Sequence, residues 1–257
     1  MTKPTPASPL VLAALDIQGL RFRFGGEAAP ALDQRGAESF ELAIESFAVP
    51  AGSELLLTGG SGTGKSTLLQ LIAGLIEPSA GTIRVAGTAI HQLRGAARDR
   101  FRGRSIGMIF QTFHLALGFS ALENVLLALL FAEPRKEVAP RGHAARAKEL
   151  LDHLGIERHD APVETLSVGQ QQRVAVARAL ACKPPLVLAD EPTASLDPKN
   201  ARTSIELIRS TCREEGASLV CVSHDPSLIP LFDHHVELAS ILAVRSVAEP
   251  APTGGSR

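Results

Sequence analysis

The stretch GGSGTGKST, residues 59 to 67, leaves the chain little conformational choice. It fits the pattern G-x-x-x-x-G-K-[ST] and lies between an apolar run, SELLLTG, and a helical pattern, KSTLLQLIAGLIEP. In that helical pattern Leu68, Leu69, Ile72 and Leu75 share one face. Glycines in such a loop let successive backbone N–H groups turn inward, and the N-terminus of the following helix adds partial positive charge. The unit is therefore shaped to surround phosphate oxygens. Gly59, Gly60, Ser61, Gly62, Thr63, Gly64, Lys65, Ser66 and Thr67 form the predicted cradle for a nucleoside triphosphate. Lys65 is placed to bridge its outer phosphates and Ser66 to ligate Mg²⁺.

A loop of this kind belongs to a parallel α/β sheet, and the chain supplies the strands. TIRVAG and SIGMIF read as two of them. LVLAD (186 to 190) and SLVCV (218 to 222) are continuous apolar runs, as expected of strands buried on both faces. From about Thr112 to Arg173 the patterns are helical instead. SALE (120 to 123) is a capping box, Gly155 a C-cap, and RGHAARAKELLDHLGI an amphipathic helix. The predicted fold is an α/β P-loop NTPase (RecA-like) core with an inserted α-helical lobe and an N-terminal antiparallel β region. The domain runs over 10–246, with its core in about 10–111 and 174–246 and its lobe in about 112–173. Residues 1–9 and 247–257 are Pro/Ser/Thr-rich tails.

The second chemical feature is PLVLADEPT. Asp190 ends an apolar strand within reach of a metal shell, and Glu191 follows it. Alternation along a strand aims the two carboxylates differently, one at metal and one at the position of an attacking water. Three single residues gain meaning only together. Gln111 ends one apolar strand and His224 another, while Asp197-Pro198 is a helix N-cap followed by proline. A further helix opens at TLSVGQQQRV. Ser167 and Gln170 form a capping box, and Val174, Val176, Ala177, Leu180 and Ala181 mark its apolar face.

Bulk properties exclude several classes. A net charge of −1 gives no electrostatic reason to expect nucleic acid as a partner. The apolar stretch Val125 to Ala132 is far shorter than the ~20 residues a spanning helix needs. Cys182, Cys212 and Cys221 contain no C-x-x-C pair and read as thiols in a reducing compartment.

In order, the P-loop, Gln111, LSVGQQQR, LADEPT, SLD and SH resemble the nucleotide-binding subunit of ATP-binding-cassette (ABC) transporters, from about Leu15 to Val244. The resemblance implies ATP and Mg²⁺ as cofactors, with Ser66, Asp190 and Gln111 at the metal. It makes Glu191 the general base, Gln111 the sensor between lobe and core, and His224 the γ-phosphate switch. It also implies a head-to-tail homodimer. Ser167, Gly169 and Gln170 of one subunit then face the partner's ATP, and the Asp197 loop crosses the interface. Phe24 stands where the family stacks an aromatic on adenine, with Phe22 as the alternative. Two positions depart from the family pattern. Gly60 replaces a common proline and loosens the turn. Val168 replaces a glycine, and a β-branched residue there is strained if φ must be positive.

TFHLALGFSALENVLLALLFA, after Gln111, resembles the lipoprotein-releasing and macrolide-exporter type of ATPase. That type works on the cytoplasmic face of the inner membrane with a separately encoded permease. Phe113, Leu115, Leu117 and Phe119 are then candidates for a permease-accepting groove, or equally for ordinary lobe core. The cell-division ATPase and the amino-acid importers share most of these features, and a soluble ABC ATPase uncoupled from transport is a further alternative. The segment 25–47 is longer than the family norm.

Overall fold

The computed structural model describes residues 13–23, 41–132, 140–194 and 196–242. Strands β1 (Ala13–Arg23), β2 (Glu41–Pro50), β4 (Ala80–Val85) and β5 (Thr88–Ala89) form an antiparallel sheet in the order β2-β1-β4-β5. Between β2 and β4 the chain enters the second sheet through β3 (Glu54–Thr58) and returns along helix α1 (Lys65–Ile72). Helix α2 (Gly95–Ser105) leads into β6 (Ile106–Ile109), after which the helical lobe begins. The lobe holds α3 (Ala121–Ala132), α4 (Pro140–His153) and the start of α5 (Val168–Leu180). The chain then completes the core with β7 (Leu186–Asp190), α6 (Pro198–Glu214), β8 (Ser218–Ser223), β9 (His234–Glu237) and α7 (Leu238–Ile241).

The second sheet is entirely parallel, in the order β6-β7-β8-β3-β9. Its apolar runs are continuous because both faces are covered. Val187, Ala189, Leu219 and Cys221 join the core shared with the lobe, α5 and α6. Leu186, Leu188, Val220 and Val222 join the core under α1 and the antiparallel sheet. Successive residues thus serve opposite cores, and each fully buried leucine contributes roughly 1.5–3 kcal/mol.

The local signals largely act as the sequence suggests. Ser120 and Glu123 exchange capping bonds at the start of α3. Gly155 ends α4 with a left-handed φ of 70°. One expectation needs correction. Helix α1 stops at Ile72, where Gly74 turns left-handed, so Leu75 leaves the apolar face and is 50% exposed. The 173/174 boundary between lobe and core falls inside α5, so one continuous helix carries the chain from lobe to core. The first part of segment 25–47 lies outside the described residues, while its last residues, from Glu41, belong to β2.

Candidate active site

Three strand ends converge on one cleft. β3 delivers the phosphate loop, β7 delivers Asp190 and Glu191, and β8 delivers His224. The cleft, about 620 Å³, is lined by Ser61, Gly62, Gly64, Lys65, Ser66, Thr67, Gln111, Glu191, Ala194 and His224. Gly64 caps α1 with φ 99°, a conformation that admits glycine and almost nothing else, and so aims the first N–H groups of α1 into the cleft. Gly59 lies against Thr63, whose hydroxyl would stand 3.0 Å from an added Cβ. Thr63 also donates that hydroxyl to the Gly60 carbonyl at 2.9 Å, which closes the turn that Gly60 would otherwise loosen.

Lys65 is buried and folds back over the loop, donating Nζ to the carbonyl oxygens of Gly59 and Gly60 at 2.8 Å each. Its Nζ is also 3.9 Å from Glu191 Oε1. Ser66 donates its hydroxyl to Asp190 Oδ1 at 3.0 Å. Burial pushes the Asp190 carboxyl above the usual carboxylate range. The Ser66 hydrogen bond opposes this, Glu191 adds to it, and Lys65 opposes it more weakly. Ser66, Asp190 and Gln111 thus offer neutral and anionic oxygens on one cleft, a donor set suited to a hard cation that keeps waters and binds through phosphate.

Glu191 is directed by a turn rather than by strand alternation. β7 ends at Asp190, and Glu191 takes a left-handed φ of 47° while its N–H donates to the Val222 carbonyl at 3.0 Å. That turn swings its carboxylate onto His224, with Glu191 Oε2 2.9 Å from His224 Nδ1. The backbone N–H of His224 approaches the same oxygen at 3.4 Å. A non-glycine residue in this region costs on the order of 1–3 kcal/mol, and such cost gathers at functional sites.

The start of α5 is separate from this cluster and faces outward. Ser167 accepts from the Gln170 N–H, while Gln170 Oε1 accepts from the Ser167 N–H, completing the capping box. Ser167, Val168 and Gly169 are all exposed, and a Cβ at Gly169 would meet nothing within 4 Å. Val168 is the first residue of α5 and is not among the residues with positive φ, so the strain feared for a β-branched residue does not arise. Asp197 caps α6, accepting from the Asn200 N–H at 3.1 Å. Phe22 is buried in the core, and Phe24 lies outside the described residues.

A second concavity, about 470 Å³, opens beside Gln111 and is lined by Thr112, Phe113, His114, Leu115, Leu117, Val163, Glu164 and Gln171. Phe119 is not among its lining residues, and Phe113, though it lines the groove, is buried. Two residues beyond the capping box escaped the sequence reading. Buried Gln172 donates Nε2 to the Pro192 carbonyl at 2.9 Å, and Arg178 reaches the carbonyls of Phe113 and His114. The available signal was polarity on the side of α5 that otherwise carries Val174, Ala175 and Ala179.

Comparison with known proteins identifies the family. The ABC transporter family profile matches residues 42–194. The chain belongs to the ABC transporter family. It is an ATP-binding, ATP-hydrolysing ABC cassette. It is 40% identical over 200 residues to the lipoprotein-releasing system ATP-binding protein LolD 1 of Caulobacter vibrioides, covering 77% of this chain and 84% of that one. It superposes on the dimeric structure of MJ0796, a bacterial ABC transporter cassette, with a TM-score of 0.72 and 30% identity, over 87% of this chain and 93% of that one. It also matches a dimeric post-hydrolysis MJ0796 cassette bound to ADP and Pi, with a TM-score of 0.70, 30% identity and the same coverage.

Proposed function

We propose that this cassette is the ATPase of a lipoprotein-releasing transporter, working as a head-to-tail homodimer on a separate permease at the cytoplasmic face of the inner membrane. The carrying observation is that Lys65, Ser66, Glu191 and His224 line one cleft, with Asp190 bonded to Ser66 at its edge. Relatives such as the LolD 1 protein supply the transport setting. Among the described residues no helix is long and apolar enough to cross a membrane.

ATP enters the cleft with its phosphates against the N–H groups of the loop and α1. Lys65 exchanges the Gly59 and Gly60 carbonyls for phosphate oxygens. Ser66, Asp190 and Gln111 would hold Mg²⁺, which neutralises phosphate charge when bound. Glu191 accepts the proton of the attacking water, and His224 holds that carboxylate in place and contacts the γ-phosphate region. Ser167, Gly169 and Gln170 cap the partner's γ-phosphate with the N-terminus of α5, while the Asp197 loop lines the interface. Phe24 stacks on adenine. The lobe, about 112–173, moves against the core as the dimer closes, and the groove beside Gln111 accepts a helix of the permease.

Glu191→Gln separates these parts. Turnover should fall on the order of a hundred-fold or more, while ATP binding persists and an ATP-bound dimer elutes from size exclusion. Pulled down with ATP from native membranes in mild detergent, that variant should bring a permease with few spanning helices and a large extracytoplasmic domain. A many-helix permease would move the protein to nutrient import. Soluble partners alone would leave only the ATPase.

A further inference from the structure

The turn between the ATP cleft and the neighbouring groove is strained, and the residue that holds it comes from elsewhere in the chain. Phe113 and His114, directly after Gln111 and Thr112, both have left-handed backbones, with φ 57° and 47°. Two consecutive non-glycine residues seldom rest there, and a bulky phenylalanine least of all. Locally the turn has backbone bonds from Phe113 N–H to Phe110 O at 3.0 Å and from His114 N–H to Thr112 O at 2.6 Å. The His114 ring lies tilted on Phe110, centroids 4.6 Å apart.

A further restraint is Arg178, in the last turn of α5. Its Nη1 donates to the His114 carbonyl at 2.5 Å and its Nη2 to the Phe113 carbonyl at 2.6 Å. One planar guanidinium thus spans the two carbonyl groups of the strained pair, a geometry that a single ammonium cannot reproduce. Arg178 is only half-exposed, and burial lowers its pKa. Among the described residues it forms no ion pair with a carboxylate, so the desolvated cation is committed to these two carbonyls. The same helix begins at Ser167 and Val168, and the same turn lines the groove through Phe113 and His114.

We infer that Arg178 is a positioning residue, locking the Phe113–His114 turn to α5 so that Gln111 and the groove wall are held in register with the outward-facing start of that helix. This rests on the placement of Gln111 in the ATP site under the proposed function. Without the clamp the turn relaxes toward ordinary backbone angles, and Gln111 leaves its position over the cleft. Binding of ATP to the loop and α1 does not depend on that position, whereas turnover does.

The test is a kinetic cycle on the full chain. Arg178→Met keeps the methylene packing and removes both donors. It should lower kcat on the order of ten- to a hundred-fold while leaving the ATP dissociation constant unchanged. Arg178→Lys should fall between this variant and the parent. Gln111→Ala should lower kcat by itself, and the double variant should be no slower than the slower single one, because both remove the same contribution. His114→Gly in the Arg178→Met background should recover part of kcat, since glycine takes the left-handed backbone without strain. If the Arg178 and Gln111 effects multiply, or if Arg178→Met weakens ATP binding as much as turnover, Arg178 does not act through Gln111. If Gln111→Ala alone leaves kcat untouched, the assignment of Gln111 to the ATP site fails, and this inference with it. Should the methionine variant not fold, the lysine variant combined with Gln111→Ala carries the same cycle.

Discussion

Asp190 carries the cost of a nucleotide-binding cleft before its nucleotide arrives. Its carboxyl is half-buried, with only the Ser66 hydroxyl and a more distant Lys65 to offset the lost solvation, and Glu191 beside it adds repulsion. Its folded-state pKa therefore stands above the unfolded value. A carboxyl shifted that way contributes stability that is present below the unfolded pKa, near about 4, and lost as pH rises through the folded one. Asp190→Asn keeps the shape and the Ser66 hydrogen bond while removing the charge. At about pH 7 the nucleotide-free variant should melt higher than the parent, by on the order of 2 °C, and the difference should vanish toward about pH 4. With Mg²⁺ and ATP the order should reverse, because the parent, which keeps the carboxylate proposed for the metal, gains more stability from binding. Melting curves at both pH values decide it, and equal Tm without nucleotide at neutral pH would show that the carboxylate is not strained. Glu191 stores a different cost in its left-handed φ, which no residue pattern announces.

The elements show why some of the site was legible in the sequence and some was not. The phosphate loop and the α5 cap depend on near neighbours in the chain, so residue type and spacing were enough to place them, whereas Glu191 is aimed by contacts with Val222 and His224 that only folding supplies. The end of α1 depended on whether Gly74 would turn the chain, and a continuing apolar pattern concealed it. Gln172 and Arg178 bond to backbone carbonyls brought near only by folding, so their partners have no sequence signature. The start of α5 has both kinds of role. Ser167 caps its own helix, a contribution of about 0.5–2 kcal/mol, and is proposed to meet a partner's phosphate. Ser167→Asp separates the two roles, because aspartate caps a helix as well as serine does but adds a negative charge. The variant should keep the parent's Tm and its affinity for ATP as a monomer, yet lose ATP-dependent dimerisation and turnover. Normal turnover by this variant would remove Ser167 from the neighbourhood of phosphate.

At the scale of the molecule, the described chain gathers a nucleotide cleft at the strand ends and exposes the start of α5 to solvent, with no side chain or backbone near Gly169 for a Cβ to meet. An exposed helix N-terminus whose first residues are serine, valine and glycine offers N–H donors to an anion carried by something else. If that anion is the partner's ATP, each working site takes its loop from one subunit and its capping helix from the other. Two inactive variants should then repair each other. Lys65→Ala spoils the loop of its own subunit, and Ser167→Asp spoils the cap it lends to its partner. In a mixed dimer both defects fall on one site, and the other site is whole. Mixing equal amounts should restore turnover at about a quarter of the parent's sites, assuming random pairing in a two-fold dimer. The recovery should grow with protein concentration as dimers form. If instead each subunit built its site from its own loop and its own helix, every site in the mixture would carry a defect and no recovery would occur. Steady-state ATPase assays of the two variants, alone and mixed, distinguish these arrangements without any membrane partner.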